Sequence, residues 1–271
     1  PAPMYNKEYY ESCDLLMGIS KQTVNINKLV LGDKGKNKVF KYIPHGLNSN
    51  IFNILKDDAP ELIRFRKNIG LKEDNNFHLI FNSRNIKRKQ ASNIIMAWRL
   101  FTDQLSPEES KKCQLTLKTE ASFDHGTDLN AVIEYMCPPD ICRVGILDHK
   151  LSAEEMNLMY NSADGVIQIS NAEGWGLSLT ESMLTGNWVE FNDEFPSNHH
   201  GKYKKHGEWA LPVYISASTL VGSPATPYIY DDHHNIHDVT DQIMKLYKMS
   251  KEERKSIGKK GYDWARSKEA G

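Results

Sequence analysis

Residues 165–186, GVIQISNAEGWGLSLTESMLTG, decide how the rest of the chain is read. GVIQIS (165–170) is a short apolar run of strand type, and LSLTESML (177–184) reads as a helix stopped by Gly186 at the C′ position. Between them, NAEGWGL must turn sharply. Gly174 and Gly176 let the backbone approach a ligand with no side chain in the way. The N–H groups of 175–178 are then aimed outward at the start of a helix, which is an anion site. Glu173 falls in the loop and Glu181 in the first helical turns.

The same strand–loop–helix unit recurs upstream. FHLIFNS (77–83), CQLTLK (113–118) and ICRVGIL (141–147) read as strands. Ala91, Ile94, Ile95, Trp98 and Phe101 repeat at helical spacing after the first, and Leu129, Val132, Ile133 and Met136 after the second. Ser152 with Glu155 forms a capping box that opens a helix with Met156, Met159, Tyr160 and Ala163 inward. Ile236, Val239, Ile243 and Leu246 make a further helix, and Ser250 with Glu253 caps the last. Four such repeats predict an α/β fold: a Rossmann-like parallel sheet with helices on both faces. Ligands in such sheets bind at the carboxyl ends of the strands. Nearer the start, CDLLMGIS (13–20) reads as a buried strand, KQTVNINKLVL as a helix and KVFKYI (38–43) as a strand closed by Pro44. Residues 187–230 are polar and aromatic without clear periodicity, and no strand is assigned there.

Composition narrows the class. The chain has 271 residues, 39% hydrophobic and 25% charged, as in ordinary globular proteins. Its 34 basic and 35 acidic side chains leave a net charge of −1, with no global footprint for nucleic acid or an acidic membrane. No apolar run is long enough to span a membrane. Cys13, Cys113, Cys137 and Cys142 form no CxxC pair; a Cys137–Cys142 bridge across Pro138-Pro139 is the lesser alternative to buried free thiols of a reducing compartment, so a cytoplasmic protein is expected. The chain begins Pro-Ala-Pro rather than Met, which reads as processing, trimming or incomplete representation.

Two loops carry the candidate chemistry. SRNIKRKQ (83–90) sets Arg84, Lys87, Arg88 and Lys89 before an amphipathic helix. Arg84 and Lys89 converge only if Arg84 sits at the strand end and Lys89 in the first helical turn. Two cations beside helix-N-terminal amides suit a doubly charged phosphate; a solvated basic turn is the other reading. Glu173 and Glu181 suit hydrogen bonds from sugar hydroxyls. A hydrolytic acid/base pair is disfavoured, because the amides and cations around them point to a bound polyanion. A helix-N-terminal acid favouring the dipole is the plain alternative for Glu181. Asp231, Asp232, His233, His234 and His237 read as a strand end, a turn and a helix start, with a metal site the lesser alternative. His199, His200 and His206 lie beside Lys202, Lys204 and Lys205 in what reads as a solvated loop.

Taken in order, these segments resemble retaining glycosyltransferases of the GT-B fold, in the family 4, glycogen-synthase-like group. Glu173-Gly174-Trp175-Gly176 and Glu181-Ser182-Met183-Leu184-Thr185-Gly186 match the family's two glutamates and the loop and helix that hold them. Arg84 and Lys89 match its Arg/Lys pair. YIPHGLNSNIF resembles its interdomain linker, with Asn48 where Asp is usual, and YNSADGVIQIS resembles the segment before the glutamates. The match covers roughly residues 8–186 and, more loosely, 228–268.

The resemblance implies a transferase moving a sugar from a nucleoside-diphosphate sugar with retention of anomeric configuration. It needs no cofactor and no metal. Arg84 and Lys89 would neutralise the diphosphate, Glu173 would hold donor-sugar hydroxyls, and Glu181 would hold the ribose. Backbone amides of Trp175, Gly176, Leu177 and Ser178, with Gly174 leaving room, would contact sugar and diphosphate. It also implies four segments: 1–43 as the end of an acceptor-side domain, 44–62 as linker, 63–258 as the donor-binding domain, and 259–271 as the start of a helix returning toward the first domain. Only the last strands and helix of the first domain are matched, so the acceptor, whether glycan, lipid, protein or modified DNA, is not legible. His45 faces the cleft by the same analogy. A phosphorylase-type reaction and a non-catalytic nucleotide-sugar-binding or scaffolding module are the rival readings.

Overall fold

The computed structural model describes residues 6–74, 76–171, 173, 175–186, 188–192, 209–223 and 226–267. A leading unit contains α1 (Lys7–Glu11), β1 (Leu15–Gly18), α2 (Lys21–Leu31) and β2 (Val39–Tyr42). β1 and β2 pair in parallel, and Ser20 caps α2 by accepting the Thr23 amide at 3.0 Å. β1 is buried on one side only: Leu16 is covered, while Leu15 and Met17 are exposed. The buried strand expected here is half-buried, as alternate residues of a strand point to opposite faces.

The rest of the chain builds one sheet and its cover. In order come α3 (Pro60–Asn68), β3 (Phe77–Asn82), α4 (Ala91–Thr102), α5 (Pro107–Ser110), β4 (Cys113–Lys118), α6 (Leu129–Met136), β5 (Val144–Ile146) and α7 (Ala153–Asn161). They are followed by β6 (Gly165–Ile167), α8 (Leu177–Leu184), β7 (Trp188–Asn192), β8 (Ala210–Val213), the antiparallel hairpin β9 (Ile215–Ser223) and β10 (Thr226–His234), then α9 (Ile236–Lys248) and α10 (Lys251–Ala265). Six strands pair in the order β5-β4-β3-β6-β7-β8, and every pairing is parallel. After β5 the chain crosses back to the far side of β3, so β3 and β6 lie side by side and their following loops diverge. Such a topological switch point leaves a crevice at the carboxyl ends of the strands.

Period-two alternation along β3 divides the core. Phe77, Leu79 and Phe81 join Leu115 and Leu117 against Ile94, Trp98 and Phe101 of α4 and Val239, Ile243 and Leu246 of α9. Ile80 and Val166 face the other way, toward Phe65 of α3, Tyr160 of α7 and Leu184 of α8. Strands covered on both faces read as near-continuous apolar runs, which is why 77–81 is apolar but for His78. Trp98 is fully buried and stacks on Phe77 at 6.1 Å between centroids. Burying a side chain of this size contributes about 2–3 kcal/mol. His78, also buried, has Nδ1 3.0 Å from the Ser162 carbonyl and Nε2 2.8 Å from the Thr116 hydroxyl. The carbonyl can only accept, so Nδ1 carries the proton. Burial, the largest cause, pushes this imidazole down to about 4.

Several expectations hold. The five α4 positions are buried, both capping boxes form, and Gly186 has the left-handed φ (+72°) of a helix stop. All four thiols are free. α3 begins at Pro60, and its Leu62 and Phe65 are buried. α10 runs from Lys251 to Ala265. Other expectations are corrected. β6 is shorter than its apolar run, because Gln168 leaves the ladder and donates its side-chain amide to the Asn82 carbonyl at 2.8 Å. Strands β7, β8 and β9 and most of β10 fall in the stretch assigned none. From 216 to 222 β9 is solvent-exposed, so no core-facing alternation is written into it. Asn48 serves the linker as a turn former, its side-chain oxygen accepting the Asn50 amide at 3.0 Å. Gly174 and the residues 193–208, with His199, His200 and His206, lie outside the described residues.

Candidate functional site

The loops after β3 and β6 both open at the switch point. The β3 loop leaves the sheet at Ser83, makes a short turn over Lys87–Lys89 and enters α4 through Gln90. Asn85 sets its course. Its backbone N–H donates to the Glu120 carboxylate at 3.1 Å, and its side-chain amide donates to the carbonyls of Glu120 and Thr127 at 3.1 and 2.6 Å. The Thr127 amide returns a bond to Asn85 Oδ1 at 3.0 Å. Arg84 then lies over the Phe123 ring at 4.8 Å, with its Nε 3.7 Å from Glu120. Its side chain is 65% exposed, so this ion pair contributes little by itself.

Lys89 is placed differently. It precedes α4 in the short turn rather than lying in the helix's first turn, and it forms a direct ion pair with Glu173. Arg88 also approaches Glu173, at 3.4 Å. The Lys89 and Glu173 side chains are only 12% and 11% exposed. Burial, followed by the Arg88 cation, lowers the Lys89 ammonium to about 7, while the carboxylate against it favours the charged form.

After β6 the chain returns through Glu173 and Trp175 to Gly176, whose φ of +80° directs it into α8. The first backbone bond of α8 runs from the Leu179 amide to the Gly176 carbonyl at 3.0 Å, which leaves the Leu177 and Ser178 amides ahead of the ladder. Gln168 holds Ser178 Oγ at 3.2 Å. One turn on, Glu181 accepts the Tyr160 hydroxyl at 2.7 Å, and that hydroxyl accepts the Asn82 side-chain amide at 2.7 Å. Burial pushes the Glu181 carboxyl up, and the Tyr160 hydroxyl bond partly offsets it.

These parts meet in one cavity of about 700 Å³. Arg84, Lys89, Glu173, Trp175, Gly176, Leu177, Ser178 and Glu181 all line it. The leading unit and the connection after it add Ile19 and His45, whose ring meets Trp175 edge-on at 5.7 Å. The ends of β4 and β5 contribute Lys118, Thr119, Glu120, Asp148 and Lys150. The cavity thus brings together cations and helix-start amides, suited to a phosphorylated group, and carboxylates that accept hydroxyls. Among the described residues no group of three or more His, Cys, Asp or Glu side chains is arranged to hold a metal ion. No helix among them is long and apolar enough to cross a membrane.

Sequence reasoning missed the supporting residues Asn82, Asn85, Glu120, Tyr160 and Gln168. The available signal was a polar side chain at or just past the end of an apolar strand, as with Asn82 in FHLIFN and Gln168 in GVIQIS, since such a group must find a partner near the switch point.

No protein-family model matches the chain, and no curated protein matches it in sequence. Solved structures do match in shape. A sucrose-phosphate synthase from Thermosynechococcus elongatus aligns over 97% of this chain and 56% of its own, at 17% identity and a TM-score of 0.66. The Anabaena protein HepE, solved in complex with UDP-glucose, aligns over 93% of this chain and 59% of its own, at 17% identity and a TM-score of 0.66. The C-terminal domain of a group 1 glycosyl transferase family protein from Francisella tularensis aligns over 82% of this chain and 98% of its own, at 15% identity and a TM-score of 0.60. The chain thus spans little more than half the length of the first two. At these identities the likeness establishes the fold, and this chain has the Rossmann-like α/β fold found in those proteins.

Proposed function

We propose that this chain carries the donor-binding half of a retaining glycosyltransferase of the GT-B, family 4-like type, acting in the cytoplasm on a nucleoside-diphosphate sugar. The observation that carries the reading is the convergence of two loops distant in sequence. Arg84 and Lys89 from one, and Glu173, the amides at Trp175–Ser178 and Glu181 from the other, line a single cavity at the switch point. UDP-glucose in the similarly folded HepE structure supports the substrate class.

In this reading the diphosphate sits on Lys89, Arg84 and the first amides of α8, where developing negative charge is stabilised as the sugar bond breaks. Glu173 accepts donor-sugar hydroxyls, and Glu181 accepts ribose hydroxyls. Tyr160 and Asn82 hold Glu181 in place. The carboxylates bind and orient, so positioning and electrostatics supply the rate enhancement, with no metal required. The acceptor, a glycan, lipid, protein or modified DNA, would enter from the side of Ile19 and His45, with the leaving diphosphate taking its proton.

A donor screen tests this. Thermal shift with UDP-, GDP- and ADP-sugars should raise the melting temperature of the wild-type chain by several degrees for one base series, since ligand at one hundred times its Kd adds about 2.7 kcal/mol. Glu181→Ala should lose most of that shift. No shift with any sugar nucleotide, or an undiminished shift in Glu181→Ala, would overturn the assignment.

A further inference from the structure

We propose that Gln90, Asn171 and Asp231 form a clasp that positions Lys89 against Glu173 and ties the donor cavity to the β9–β10 hairpin. The proposal rests on the donor-site reading for its ligand and on geometry alone for the clasp.

Gln90, at the entry to α4, is the single non-glycine residue with a positive φ (+57°) among the described residues. Its side chain does not cap the helix. Instead its amide nitrogen donates to Asn171 Oδ1, and its oxygen accepts from Asn93 Nδ2 at 2.6 Å. Asn171 passes the chain on, its side-chain nitrogen donating to Asp231 Oδ1 on β10. The Asn171 backbone N–H donates to the Arg88 carbonyl at 2.8 Å. Gln90 and Asn171 are only 6% and 7% exposed.

Buried amides stabilise only when both ends are partnered, and here both ends of each are. A non-glycine residue held in left-handed backbone persists where its surroundings over-determine it, and such residues cluster at functional sites. The register follows directly. Lys89 immediately precedes Gln90, and Glu173 lies two residues beyond Asn171. Joining Gln90 to Asn171 therefore closes the two loops at the point where the ammonium and carboxylate meet. Asp231 brings in the hairpin, which rises from the carboxyl-end edge of β8. Its Oδ2 faces His233 Nε2 at 3.5 Å. None of the three residues lines the cavity; they act through Lys89.

The test compares Asn171→Ala, Asp231→Ala and Asp231→Asn with wild type. The aspartate-to-asparagine change retains an oxygen that can accept from Asn171. Two readouts are taken. In ligand-free protein, amide exchange of the Asn171 N–H by NMR should accelerate at least tenfold in Asp231→Ala, with β3 amides unchanged, and stay near wild type in Asp231→Asn. Calorimetry with UDP, GDP and ADP, each beside its nucleoside, should show the diphosphate advantage falling about tenfold in Asn171→Ala and Asp231→Ala but not in Asp231→Asn, with nucleoside affinity retained. Unchanged exchange in Asp231→Ala, or equal effects of the alanine and asparagine changes, overturns the clasp. A diphosphate advantage kept in both alanine variants overturns its positioning role. If wild type itself shows no diphosphate advantage, it is the donor-site reading that fails, and the exchange readout decides the clasp alone.

Discussion

Lys89 and Glu173, from two loops on opposite sides of the switch point, are each other's ion-pair partners. The residue proposed to hold the diphosphate and the residue proposed to hold the sugar therefore occupy one another in the ligand-free chain. A donor must separate or share the pair, and the consequence can be measured. A buried carboxylate competes with phosphate for the same ammonium.

Neutralising that competitor should split two affinities that ordinarily move together. Glu173→Gln is expected to bind a free nucleoside diphosphate about three- to tenfold more tightly, because Lys89 is released to it. It should lose the preference for the sugar nucleotide, a difference of about 1–2 kcal/mol for a charge-assisted hydrogen bond. Calorimetry with both ligands reads the split. Parallel losses for the two would contradict it.

The state of Lys89 predicts a proton signature. Burial, followed by the Arg88 cation, lowers its ammonium to about 7, whereas the paired Glu173 carboxylate and a bound diphosphate both favour the charged form. Binding at pH 8 should take up a fraction of a proton, and affinity should fall as pH rises well above 7. Titrations in two buffers of different ionisation enthalpy measure the uptake. Lys89→Ala should abolish it.

His78 makes stability depend on acidity in a separate window. Its folded pKa of about 4 lies below its ordinary 6.5, so between those values the unfolded chain holds the proton and the folded chain does not. The folded state therefore loses up to about 3 kcal/mol as pH falls from 6.5 to 4. His78→Gln should flatten that segment of a denaturant-derived stability curve. Equal slopes for wild type and variant would show that His78 does not carry the loss.

Close packing behind the cation loop gives a structural prediction. A Cβ on Gly126 would stand 2.1 Å from the Asn85 carbonyl oxygen, a backbone atom that cannot swing aside. Gly126→Ala should destabilise the chain by about 2–4 kcal/mol and weaken diphosphate binding by displacing Arg84 and Lys89. A melting temperature equal to wild type would show that the loop accommodates the methyl freely.

Four of the sheet's six strands were legible: 77–81 is apolar but for His78, Cys113, Leu115 and Leu117 alternate with Gln114 and Thr116 in 113–117, and Ser152–Glu155 and Ser250–Glu253 announce their helices, whereas β7 and β8 carried no such pattern. The loops at 83–90 and 171–177 were legible because cations and glycines stand out between such strands. Less was written at Gln90 and Asn171, two ordinary amides that acquire a role only when β3 and β6 become neighbours. β9 escaped because an exposed strand needs no alternation. α3 escaped because its buried apolar residues, Leu62 and Phe65, are few among charged ones.

In the proposed function the switch-point cavity takes a nucleoside-diphosphate sugar with Lys89 on the diphosphate. The most direct measurement is calorimetric titration of wild type and Lys89→Ala with UDP, GDP and ADP, each against its nucleoside. For one base, wild type should bind the diphosphate at least tenfold more tightly than the nucleoside, and Lys89→Ala should remove most of that gap while leaving nucleoside affinity unchanged. Equal losses for both ligands in Lys89→Ala, or no gap in wild type, would contradict it.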